Sequence, residues 1–214
     1  MSIWRSIVDG AHDLAERHRQ ANFTIAIIGL AAKMARSDGA VSGDEVRAFR
    51  DIFQVPAEEE HHVMRLFDQA RRDVAGFEFY AHKAARLFRD EPALLEKLLD
   101  GLFHIAKSDR VADPREVVFL RKVATIFGFD AATFERIRAG HLGRDDADPY
   151  VLLGVPHDAS DEIVRTAWRR LVREHHPDRL IAQGMPAELI GLATARLAAV
   201  NAAYDGIRTR NGSS

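Results

Sequence analysis

Part of this chain is written twice, and that duplication limits its fold more than any other feature. Ser37-Asp38-Gly39-Ala40-Val41-Ser42-Gly43-Asp44-Glu45-Val46 aligns without gaps on Ser108-Asp109-Arg110-Val111-Ala112-Asp113-Pro114-Arg115-Glu116-Val117. The flanks match as well: Ala31-Ala32-Lys33-Met34-Ala35 before one copy and Leu102-Phe103-His104-Ile105-Ala106 before the other, then Phe49 and Ile52 against Leu120 and Val123. Apolar residues recur at helical spacing on both sides of each turn, so the repeated unit is a helix–turn–helix. Each turn ends in an N-cap, Ser42 or Asp113, with Glu45 or Glu116 three residues later in a capping-box arrangement. Pro114, at a first helical position, marks the same boundary. Two more helices are expected between the copies, at about Ala57 to Val74 and Phe77 to Arg89. Residues 21–142 therefore read as a compact helical bundle, and the whole chain as all-α.

The C-terminal stretch has its own logic. Asp148 is a good N-cap and Pro149 a good first helical residue, so a short helix begins there. Gly154 can end it in a left-handed conformation, and Tyr150 and Leu153 share one face. Ser160 caps the next helix, with Asp161 and Glu162 at its positive end. Ile163, Ala167, Trp168 and Leu171 form one apolar stripe, while Arg165, Arg169, Arg170 and Arg173 project to the other side. Pro177 disfavours a helical His176, so this helix stops near His175 and a loop follows, with Gly184 and Pro186 as breakers. A third helix carries Leu189, Leu192, Ala193, Arg196, Leu197, Val200 and Tyr204. The expected result is an antiparallel helix pair with a constrained polar loop at its tip. Taken alone, four arginines are an ordinary solvated face, and His176-Pro177-Asp178 is an ordinary turn. Trp168 and Tyr204 are expected as core aromatics.

The ordered set matters more than its parts. Asp148-Pro149-Tyr150-Val151-Leu152-Leu153-Gly154-Val155, then Trp168-Arg169-Arg170-Leu171-Val172-Arg173-Glu174-His175, the tripeptide, and Ala199-Val200-Asn201-Ala202-Ala203-Tyr204 together resemble the J-domain of the DnaJ co-chaperone family. The resemblance runs from about Asp148 to Arg210. It implies a DnaK-type heat-shock chaperone as partner, whose ATPase the J-domain stimulates. It also implies that His176, Pro177 and Asp178, with Arg165, Arg169, Arg170 and Arg173, dock on that chaperone's nucleotide-binding domain. The division of labour is physically sound: exposed arginines steer an acidic partner, Asp178 can accept a bidentate arginine bond, and Pro177 preorganises the element. Trp168 stands where the family usually has Tyr, and Arg179 where Lys is commoner. The chain runs only a short way past Tyr204, so the family's fourth helix is expected to be truncated or absent. Without a Gly/Phe-rich linker or cysteines for zinc repeats, it does not read as a general substrate-holding member.

The duplicated segments, quoted as Lys33-Met34-Ala35-Arg36-Ser37-Asp38-Gly39-Ala40-Val41-Ser42 and His104-Ile105-Ala106-Lys107-Ser108-Asp109, resemble the TerB-like domain of tellurite-resistance proteins. A TerB-like bundle followed by a J-domain resembles the DjlA family of bacterial J-proteins, and Ile181-Ala182-Gln183-Gly184-Met185-Pro186 extends that match. Such proteins often carry an N-terminal membrane anchor, which is not expected here: the run Phe23 to Met34 is too short to span a bilayer and reads as a buried helix.

The expected map is an N-terminal amphipathic helix over residues 1–20, the bundle over 21–142, a linker over 143–147, the J-domain over 148–210 and a disordered tail over 211–214. The first helix, with Ile3, Trp4, Ile7, Val8, Ala11 and Leu14 on one stripe, reads as packing on the bundle or self-associating into a homodimer, since it lacks the basic excess of a membrane-surface helix. The charged linker, with Gly143, Arg144, Asp145 and Asp146, is predicted to leave the J-domain partly free to swing. Lys and Arg total 30 against 32 Asp and Glu, a balance that argues against nucleic acid as the main ligand. The absence of cysteine fits a reducing, cytoplasmic setting. No enzyme is expected: there is no nucleophile–base pairing, no phosphate loop and no zinc spacing. No cofactor or metal is expected either. Asp38, Asp44, Glu45, Asp109, Asp113 and Glu116 lack calcium-loop spacing, and the acidic start Glu58-Glu59-Glu60-His61-His62 is explained by the helix dipole. The rival reading, from a different class, is a stress or metal-ion sensor built on the TerB-like bundle, with the J-like tail only an interaction module.

Overall fold

The computed structural model describes residues 14–38, 60–72, 76–106, 114–141, 147–186 and 189–212, all in helices and the turns that join them. The helices are α1 (Leu14–Asp38), α2 (Glu60–Arg72), α3 (Phe77–Leu87), α4 (Pro92–Ala106), α5 (Pro114–Ile126), α6 (Ala131–Ala139), α7 (Pro149–Leu153), α8 (Asp161–Glu174), α9 (Pro177–Ala182) and α10 (Ile190–Gly212). The expected all-α class is what the chain adopts.

The bundle is built around two helices that are buried along most of their length. In α1, Phe23, Ile27, Leu30, Ala32 and Met34 are fully buried, and Ile28 and Ala31 are nearly so. A helix buried on so many sides must sit inside its neighbours, and α1 packs on α2, α3, α4 and α5. Gly29 permits the closest of these approaches, because a Cβ there would run into the Tyr80 ring of α3. The second central helix is α4, where Leu94, Leu98, Leu99 and Leu102 are all fully buried. Leu120 and Val123 of α5, which the repeat aligns with Phe49 and Ile52, are also fully buried. Their counterparts Phe49 and Ile52, and both duplicated turns, lie outside the described residues.

The C-terminal unit has a smaller core of Leu152, Leu153, Val164, Leu171, Val200, Ala203 and Ile207. Its local signals work as the sequence indicates. Asp148 accepts from the Tyr150 amide at 2.9 Å, Ser160 caps α8, and Gly154 turns left-handed at φ 68°. The apolar stripe of α8 keeps Ala167 and Leu171 as expected and differs at its first position. Val164 is buried and Ile163 is half exposed, because the face that meets α10 is centred on Val164, Ala167 and Leu171. Trp168 and Tyr204 are half-buried rather than deep, stacked at 4.4 Å with 9° between their rings.

Three expectations about organisation are corrected. First, α1 runs unbroken through residues 20 and 21, so no boundary separates an N-terminal helix from the bundle there. Residues 1–13 of the expected amphipathic helix lie outside the described residues. Second, Asn211 and Gly212, placed in a disordered tail, continue α10, and the Asn211 side chain donates through Nδ2 to the Asp161 carboxylate at 2.7 Å, tying the last turn to the start of α8. Third, the J-domain is docked and not free to swing. Leu180, Met185, Leu189 and Ala193 belong to the same buried cluster as the bundle core, each with no exposed surface. A charged linker describes only itself; four apolar side chains beyond it decide the geometry. Met185 reaches the core because Gly184 takes φ 102° after α9, with the Met185 amide bonded to the Leu180 carbonyl and the Gly184 amide to Ile181. That paired pattern is a Schellman stop, which throws the following apolar side chain inward.

The stripe of α10 therefore serves two cores. Its first turns fill the bundle with Ala193, and its later turns fill the J-domain with Val200, Ala203 and Ile207. The two units should unfold as one. With Trp4→Phe isolating Trp168 as the J-domain probe, urea transitions followed by fluorescence and by total helix content should coincide. Leu189→Ala should lower the stability of both signals together by about 2–5 kcal/mol.

Candidate chaperone-docking surface and the charges beneath it

His176-Pro177-Asp178 does not form a loop. It opens the short helix α9: His176 is the N-cap, Pro177 the first helical residue, and Asp178 lies in the first turn. The His176 ring accepts from the Asp178 amide through Nδ1 at 3.3 Å. Pro at the first helical position needs no amide partner, so the same proline that ends α8 starts α9. The Asp178 side chain is 89% exposed and the His176 side chain 50%. Arg165, Arg169, Arg170 and Arg173 are all exposed along α8. Arg170 and Arg179 also line one cleft of about 720 Å³, whose opposite wall is Asp90, Glu91, Glu96 and Glu135 of the bundle. All seven residues read from the sequence as a docking surface are thus placed on adjoining elements; six are exposed and Pro177 is half-buried.

Beneath this surface lies a buried charged junction that sequence reasoning missed. His175, the residue before the tripeptide, is 1% exposed and faces the bundle. Its Nε2 approaches Glu96 Oε2 of α4 at 3.3 Å, but without hydrogen-bond alignment. The other oxygen of Glu96 accepts from Arg136 of α6 at 2.5 Å. Arg196 of α10 donates to the Arg136 carbonyl at 3.1 Å. Nearby, Lys97 and Asp100 form a fully buried pair, and His141 meets the second oxygen of Asp100 at 3.0 Å. Arg196 could have been suspected, since it is a charged residue on the apolar stripe of α10. His175 carries no such signal beside its exposed neighbour.

Burial sets the protonation of these groups. Burial, together with the cations Lys97 and Arg136, pushes the His175 imidazole down to about 3, against the pull of Glu96, so the ring is neutral. Burial pushes the Glu96 carboxyl up, but Arg136, through charge and hydrogen bond, together with the neighbouring His175 brings it below its ordinary value, so it stays ionised. Burial likewise raises Asp100, and Lys97 with Arg196 and His141 brings it well below the usual carboxylate range. Lys97 is lowered by burial, with Asp100 opposing.

Among the described residues there is no cluster of three or more side chains able to hold a metal ion, and no helix long and apolar enough to cross a membrane. The side chains of Asp38, Asp44, Glu45, Asp109 and Asp113, on which a metal reading would rest, lie outside the described residues.

Comparison with known proteins agrees with this architecture. Residues 24–139 match the family described as tellurite resistance protein TerB, and residues 148–209 match the DnaJ domain. The chain belongs to the TerB family and carries a J-domain on the C-terminal side of its bundle. Its relatives include the co-chaperone protein DjlA of Coxiella burnetii, 29% identical over 207 residues, covering 87% of this chain and 76% of that one. The co-chaperone protein DjlA of Photobacterium profundum is 28% identical over 229 residues, covering 95% and 83%. That of Shewanella oneidensis is 26% identical over 209 residues, covering 89% and 78%. No solved structure matches. The chain is a DjlA-like J-protein.

The neutral, buried His175 has a pH consequence. Its folded value of about 3 lies below the ordinary value of 6.5, so on acidification the unfolded chain takes up the proton first. The stability it supports is complete above about pH 6.5 and is lost as pH falls toward about 3, by at most about 1.4 kcal/mol per pH unit. Urea unfolding at a series of pH values should show this slope between about pH 6.5 and 4.5, above the carboxylate range. His175→Gln should remove it.

Proposed function

We propose that this J-protein is a co-chaperone that binds a DnaK-type heat-shock chaperone and stimulates its ATPase. The observation that carries the reading is the exposure of His176 and Asp178 at the start of a capped helix, beside the exposed arginines of α8. The relatives named as co-chaperones support it. The arginines draw an acidic surface into encounter, and Asp178 offers a carboxylate to a partner arginine. Pro177 reduces the ordering lost on binding. The chain performs no chemistry of its own in this reading; ATP hydrolysis belongs to the partner, whose conformational equilibrium the J-domain biases. The TerB bundle localises the protein or selects its clients. The cysteine-free composition fits action in the cytoplasm.

The test is single-turnover ATP hydrolysis by a DnaK-type chaperone. Wild-type protein should accelerate it, and Asp178→Asn and His176→Gln should each abolish the acceleration while leaving the fold intact by circular dichroism. A His176→Gln variant as active as wild type would sink the reading. Replacing Arg169 and Arg173 together with alanine should act differently. The half-saturating concentration should rise about tenfold, and its salt dependence should become shallower, because two steering charges are gone.

A further inference from the structure

We infer that Glu96 and Arg136, both in the TerB bundle, are positioning residues for the His176-Pro177-Asp178 element, acting through His175. The effect on ATPase stimulation rests on the function proposed above; the structural link itself does not. Glu96 is divided between two duties, with Oε1 on Arg136 and Oε2 against the His175 ring. Arg136 in turn touches the J-domain at two further points. Its Cδ lies where a side chain at Gly154, the end of α7, would meet it at 3.1 Å, and its carbonyl accepts from Arg196 of α10. The bundle thus braces the end of α7, the end of α8 and the waist of α10.

His175 is the place where this bracing reaches the tripeptide. Its amide bonds to the Leu171 carbonyl at 2.9 Å and closes α8, and the next residue caps α9. One planar peptide separates the His175 ring, buried against the bundle, from the half-exposed His176 ring. On the far side of the tripeptide, Leu180 is fully buried in the bundle cluster. The exposed Asp178 lies between these two anchors. An apolar junction of the same size would hold the domains together at lower cost, since buried charges give up their hydration. What the charges add is direction: a carboxylate bonded to a guanidinium fixes the ring's seat more narrowly than apolar contact does.

The full-length chain carries the test, with Glu96→Ala, Glu96→Gln and Arg136→Ala. Amide hydrogen exchange reports the element directly. Glu96→Ala and Arg136→Ala should speed exchange at residues 178–182 about tenfold or more, while Leu120 and Val123 of α5 keep their protection. Glu96→Gln, which keeps an acceptor for Arg136, should restore most of it. With a DnaK-type chaperone, Glu96→Ala should lower maximal stimulation about fivefold but move the half-saturating concentration less than about twofold, because the arginines are untouched. The Glu96→Ala and Arg136→Ala effects should not add. Unchanged exchange at residues 178–182, or acceleration spread equally into α5, overturns the inference, as does full stimulation by a variant whose tripeptide exchanges fast. A wild-type protein that stimulates nothing defeats the co-chaperone reading instead, and leaves exchange to decide this one.

Discussion

The burial of Leu180, Met185, Leu189 and Ala193 in the bundle is the contact on which the rest of the molecule depends. Each of the three larger side chains gains about 1.5–3 kcal/mol by leaving water, enough together to hold two domains joined by a short linker in one arrangement. Everything distinctive follows from that docking. It buries His175, brings Arg196 against α6, and seats the tripeptide helix on a rigid base. The docking surface of the J-domain is then one face of a larger body and not the tip of a tethered hairpin.

Charge is distributed over this body in two ways. The arginines of α8 are exposed, suited to long-range attraction that salt screens. Lys97, Asp100, Arg136 and Arg196 are buried and Glu96 is largely so, and there charge is expensive unless paired. Outer charges set how often a partner arrives. Inner ones set what it meets on arrival.

Much of this was legible in the sequence. The N-caps Asp148 and Ser160, the left-handed Gly154 and the basic face of α8 act through local chemistry, and local chemistry is what a sequence displays. The family resemblance placed the tripeptide. Other features were not legible because they depend on distant neighbours. Ile163 and Val164 are equally apolar, and only the direction of α10 decides which is buried. Pro177 was read as a helix breaker, which it is for α8, but its equal aptitude for starting α9 depends on what supports the far end of that short helix. The stripe of α10 was visible as a stripe, yet its periodicity could not say that it changes cores halfway. The buried junction was the least legible of all: Glu96, Arg136 and His175 are spread over three helices, and nothing local marks any of them.

The sharing of α10 bears on how such a protein can be taken apart. A domain that carries its own core can be exchanged as a cassette. Here the cassette boundary runs through the middle of a helix. A J-domain grafted in at residue 148 from another protein would leave the bundle without Leu180, Met185, Leu189 and Ala193, opening a cavity beneath α4. A bundle separated from its J-domain would expose that same apolar floor to solvent. Exchange of parts in this architecture is constrained to pairs that already fit, so the two domains are expected to change together, with substitutions on one side of the floor answered on the other.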